Sequence, residues 1–113
     1  MVNHTRWRLA QERRVVEGYT EPPEVVAERE EIRLALVLGQ LVYDRRTSLG
    51  LSQPALGERL GMTADAVDAL EVGGMLPVTA DLLVRLAGAL DVTVDLHVVA
   101  DGGNTVAFGE RAA

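Results

Sequence analysis

This chain of 113 residues contains no cysteine, which removes disulfides, thiolate nucleophiles and zinc-finger chemistry at once. It contains no lysine either, and all 11 basic residues are arginine. Beside abundant Ala, Val, Leu and Gly, that is the usage of a GC-rich coding sequence, although arginine also offers bidentate contact to phosphate and guanine. Aromatic residues make up only 4% of the chain, and two of them, Trp7 and Tyr19, fall in its polar first stretch. No apolar run approaches the ~20 residues that cross a bilayer, and the amino terminus lacks a signal-peptide core. A soluble, cytoplasmic protein with no membrane partner is expected.

Catalytic and metal-binding patterns are also missing. The two histidines, His4 and His97, stand apart from any spaced carboxylate–histidine set. Asp91, Asp95 and Asp101 lack the spacing of a calcium loop. Gly73-Gly74 and Gly102-Gly103 lack the surroundings of a phosphate-cradling loop. An enzyme is not expected, nor a cofactor or metal.

What is present is enough apolar material, 48%, for one domain with an appended arm. The formal net charge is -6 and the sequence pI about 4.8. The deficit is uneven. Residues 1–20 hold four arginines against Glu12 and Glu17. Residues 51–100 hold only Arg59 and Arg85 against Glu58, Asp65, Asp68, Glu71, Asp81, Asp91 and Asp95.

Residues 1–20 read as an Arg-rich arm in which Leu9, Arg13 and Val16 recur at helical spacing. Pro22-Pro23 marks a helix start, because proline loses nothing in the first turn. A long helix is expected over 23–48, charged in its first half and apolar nearly all round from Leu34 to Tyr43. Such a helix needs cover on more than one side, from the arm or from a second subunit. Two short helices are expected within 51–73, meeting at Gly61. Leu56 and Leu60 share one face of the first, and Val67 and Leu70 one face of the second. Gly61 stands where a helix ends left-handed, and Thr63 follows as an N-cap. Thr79 opens a fourth helix over 79–90. The period then drops to two at Val92, Val94, Leu96 and Val98, which predicts a β-hairpin over 92–109 turning at Asp101-Gly102-Gly103-Asn104. The domain as a whole is expected to span 21–113.

The motif Ser52-Gln53, Leu56, Leu60-Gly61, Val67, Leu70-Glu71 and Gly73 resembles the Cro/repressor class of helix-turn-helix proteins, the xenobiotic-response-element family. The resemblance continues through Pro77 to Val92. It implies a mainly α fold: a lambda-repressor-like helix-turn-helix bundle, here with a long preceding helix and a C-terminal β-hairpin. It also implies double-stranded DNA as partner, read by the second motif helix. By position, Ser52, Gln53, Thr63, Ala64, Asp65, Asp68 and Ala69 become the groove-facing set, and Arg45, Arg46 and Arg59 the nearby candidates for phosphate. Ala64 and Ala69 can touch only a thymine methyl, and an aspartate can accept a hydrogen bond from cytosine N4 while the flanking phosphates repel it. Glu71 is expected to support the turn at Gly73 or to pair with Arg59.

Outside the motif, the arm, the Glu28–Arg33 stretch and the Leu90–Leu96 strand resemble actinobacterial HigA-type antitoxins. That implies a basic, RNase-type toxin as partner and repression of a shared promoter. Trp7, Leu9, Arg13, Val16 and Tyr19 are the candidate partner contacts, since sparse aromatics on a polar segment suit an interface. Leu36, Val94, Leu96 and Val98 are the candidate homodimer contacts. A stand-alone repressor, or an interaction module that has lost DNA binding, are the alternatives.

Overall fold

A computed structural model describes residues 21–99 and 103–110. The arm residues Trp7, Leu9, Arg13, Val16 and Tyr19 lie outside that range. Four helices and a two-stranded hairpin follow one another: α1 (Pro23–Ser48), α2 (Gln53–Leu60), α3 (Ala64–Glu71), α4 (Ala80–Leu90), β1 (Val92–His97) and β2 (Thr105–Glu110).

Local chemistry sets most of these boundaries. Pro23 occupies the first turn of α1, with Glu24 at its positive end and Arg45 and Arg46 in its last turn. Ser52 Oγ accepts from the Ala55 N–H at 3.1 Å, Thr63 Oγ1 from Ala66 at 3.1 Å, and Thr79 Oγ1 from Leu82 at 3.2 Å. Each cap satisfies a donor that the first helical turn leaves open. Gly61 ends α2 at φ 74°, a left-handed conformation that is costly for a residue with a Cβ.

The core is aliphatic and is shared by every element. Leu38 and Val42 of α1, Leu56 of α2, Val67 and Leu70 of α3 and Leu86 and Leu90 of α4 have lost essentially all contact with solvent. Burial of each such side chain stabilises the fold by about 1.5–3 kcal/mol. Ala35 and Gly39 are buried too. A Cβ on Gly39 would come within 2.5 Å of the Glu71 carbonyl oxygen and 2.6 Å of that of Leu70, so this glycine lets the end of α3 lie directly on α1.

The hairpin is antiparallel, with Val94 opposite Phe108 and Leu96 opposite Val106. Val92 and Val106 are buried, and Val94 and Phe108 pack partly against the core. It sits on the long helix and on α4. Cover fades toward its tip, where Leu96 and Val98 are exposed. The described residues likewise cover the long helix on part of its circumference only. Among the described residues, Val25, Ile32, Leu36 and Tyr43 form a largely exposed apolar stripe along it.

Candidate nucleic-acid interface

The helix-turn-helix is formed by α2 and α3. Gly57 allows their close turn, since a Cβ there would lie 2.5 Å from the Met62 carbonyl oxygen. Val67 and Leu70 turn inward, so Asp65 and Asp68 face solvent, and Ala64 and Ala69 are half-buried at their sides. Thr63 is exposed just ahead of the helix. This leaves the first turns of α3 accessible to a duplex, as the second helix of such a motif requires.

Behind that face lies a polar network that ties three helices together. The Glu71 side chain, only 5% exposed, accepts from Arg46 Nε at 2.5 Å and from Arg46 Nη2 at 3.0 Å. Arg46 Nη1 donates to the Leu51 carbonyl at 2.9 Å, and its guanidinium lies 5.4 Å from the centre of the Tyr43 ring. The bidentate pair holds the Arg46 pKa above its ordinary value. Gln53 Nε2 completes the network, donating to Glu71 Oε1 at 3.1 Å and to Asp68 Oδ1 at 3.2 Å. Glu71 therefore pairs with Arg46, not with Arg59 as the sequence suggested. Arg46, placed at the phosphates by position alone, spends its fork inside the domain.

The other arginines of the described residues are also engaged. Arg45 donates to the Leu90 carbonyl at 3.0 Å and to that of Asp91 at 3.3 Å, and Arg59 to Ala89 at 3.0 Å. Both clamp the C-terminal end of α4, where Asp91 adopts a left-handed φ of 54°. Orphan carbonyls at a helix end carry partial negative charge, and a guanidinium answers it. Arg85 pairs with Asp81 and reaches the Leu60 carbonyl at the end of α2. Arg33 binds Glu30 and the Asn104 carbonyl, and Arg29 binds Glu21. Arg45 is half-buried and Arg59 exposed, so both keep N–H groups for a phosphate. Arg59 is nevertheless directed toward α4, at the far end of α2 from Gln53.

Ser52 and Thr63 use their oxygens as caps and keep their own O–H groups as donors. The four residues expected at a dimer contact do not come together. Leu36 lies beside Gly73 on the α3 side of α1, whereas the hairpin lies on the side of Leu41, Asp44 and Ser48. Val94 is partly packed against the core. The residues that sequence reading passed over are Gly39 and Gly57. The signal for Gly39 was an isolated glycine in a helical pattern, which costs about 1 kcal/mol relative to alanine and so marks a close approach.

A helix-turn-helix family model of the Cro/C1 type matches residues 42–97, from the last turns of α1 to the end of β1. That segment is a helix-turn-helix domain. The match supports a DNA-binding transcriptional regulator. The chain finds no match among curated proteins. Among the described residues, no helix of the domain is long and apolar enough to cross a membrane.

Proposed function

We propose that this protein is a homodimeric, sequence-specific transcriptional regulator that lays α3 in the major groove of its operator. One observation carries the reading: α3 buries Val67 and Leu70 and turns Asp65 and Asp68 to solvent. Gln53, Thr63, Ala64, Asp65, Asp68 and Ala69 form the groove-facing set. Ser52 and Thr63 donate their hydroxyls to phosphate, Arg45 and Arg59 are the candidate cations for it, and Arg46 braces the set from behind. Fluorescence anisotropy with the DNA upstream of its own coding sequence tests this. Saturable binding that weakens with salt is expected, and no retention of any duplex at low salt ends the reading.

The homodimer rests on the stripe of Val25, Ile32, Leu36 and Tyr43, four large apolar or aromatic side chains, each more than 40% exposed. Their spacing of seven, four and seven residues keeps them on one face, as a helix–helix seam requires.

The regulator is further proposed to be the antitoxin of a toxin–antitoxin pair. Its net charge of -6 supports this, because a negative surface draws in a basic RNA-cleaving partner. Co-purification with the product of the adjacent gene, lost when Trp7 and Tyr19 are both changed to Ala, is the expected outcome. A protein-interaction module without DNA binding is the second reading. The pairing of Arg29, Arg33, Arg46 and Arg85 with carboxylates favours it, since phosphate affinity comes mostly from cations without a counter-charge.

A further inference from the structure

The hydrogen bonds of Gln53 decide which base edge the surface can accept, given the groove-docking reading above. Gln53 Nε2 faces two carboxylates, Asp68 Oδ1 at 3.2 Å and Glu71 Oε1 at 3.1 Å. Turning the amide over would set its carbonyl oxygen against both, so electrostatics hold the NH2 group inward. Both of its donors are then occupied. The Gln53 carbonyl oxygen accepts no side-chain or backbone hydrogen bond among the described residues, where no buried side-chain oxygen or nitrogen lacks a partner, so it is open to solvent. Glu71 in turn is locked by the Arg46 fork, which fixes the arrangement from behind.

A glutamine reads adenine by donating to N7 while accepting from N6, and this one has no donor left to give. On the same helix face stand the carboxylates of Asp68 and Asp65, both exposed and both able only to accept. Ala64 and Ala69 add methyl groups and no donor. The central part of the α3 face is thus a set of acceptors. In the major groove, guanine offers N7 and O6 acceptors and thymine an O4 acceptor, while adenine places an N7 acceptor next to its N6 donor. Cytosine alone presents an N4 amino donor with no acceptor beside it on its own edge.

We propose that Asp68, oriented by Gln53, is the specificity-determining residue of this surface and selects a cytosine through its N4 amino group. Guanine and thymine at that position meet acceptor against acceptor and are rejected. The same carboxylates repel the flanking phosphates, so the choice of base costs overall affinity.

Selection of the full chain on randomised duplexes, repeated with Asp68→Asn and Asp68→Ala, tests this. Asp68 is exposed, so both variants keep the fold, and circular dichroism verifies that. The wild type is expected to enrich cytosine over guanine at one position per half-site by about tenfold, the scale of a good base contact. Asp68→Ala is expected to lose that preference while holding bulk duplex more tightly at low salt. Asp68→Asn, which regains a donor, is expected to move the preference toward a purine. Retention of DNA with no cytosine preference, or the same preference in Asp68→Ala, overturns the proposal and leaves groove docking standing. Failure to retain any duplex removes the groove-docking reading and this proposal with it.

Discussion

Glu71 sits in the wall of the domain with its carboxylate filled by Arg46 and Gln53, and its removal leaves a nearly buried guanidinium without a counter-charge. Glu71→Ala is expected to cost about 2–4 kcal/mol in urea denaturation, near the range for breaking a buried pair. Replacing both partners, Glu71→Leu with Arg46→Met, is expected to cost less than the single change, because no charge is stranded. If the double variant is the less stable one, the pair itself stabilises the fold. Glu30 offers a pH readout. Hydrogen bonds from Arg33, then from the Gly103 backbone, lower its pKa from the ordinary 4.5. A depressed carboxyl contributes stability that is fully present above the unfolded value and is lost as pH falls through the folded one. The melting temperatures of wild type and Glu30→Gln are therefore expected to differ at neutral pH and to converge in acid.

Two helical glycines separate the demands on whole elements. Gly39 meets the carbonyls at the end of α3, so Gly39→Ala must push that helix off α1. A loss of about 1–3 kcal/mol is expected, the usual cost of overpacking, together with weakened DNA binding because the reading helix moves. Gly88 in α4 has nothing within 4 Å of the position its Cβ would take. There the same substitution is expected to stabilise by about 0.5–1 kcal/mol through helix propensity alone. Thermal melts of the two variants should move in opposite directions. The helix-turn-helix itself was readable because its markers act over three or four residues: Thr63 as a cap and Gly61 as the turn. The roles of Arg45 and Arg59 were not readable. Each binds a carbonyl at the end of α4, about 45 or 30 residues away in sequence, and nothing local distinguishes such an arginine from one that faces phosphate.

At the scale of the whole molecule, two properties follow from what the domain leaves uncovered. The α1 stripe is expected to make the protein a dimer at micromolar concentration, and Leu36→Glu is expected to return it to a monomer. The equivalent change at Leu96, near the hairpin tip, should leave the mass unaltered. Sedimentation equilibrium distinguishes these outcomes. With Arg45 and Arg59 the partly free cations, a dimer makes about four arginine–phosphate contacts, so log K should fall against log salt with a slope of about -4. A much steeper slope would bring further arginines to the duplex, whether the exposed Arg29 and Arg85 or those of residues 1–20.

Periodicity, caps and the left-handed glycine are local, and they specified a mainly helical bundle with a C-terminal hairpin before any contact was known. They act through neighbouring backbone groups, so the order of residues is enough to state them. Which arginines are consumed, which way the Gln53 amide points and which side of α1 stays bare depend on groups far apart in the chain. Only folding brings those groups within hydrogen-bond reach. That is why the place of the second motif helix was written in the sequence, whereas the base edge proposed for it rests on contacts that only the tertiary structure makes.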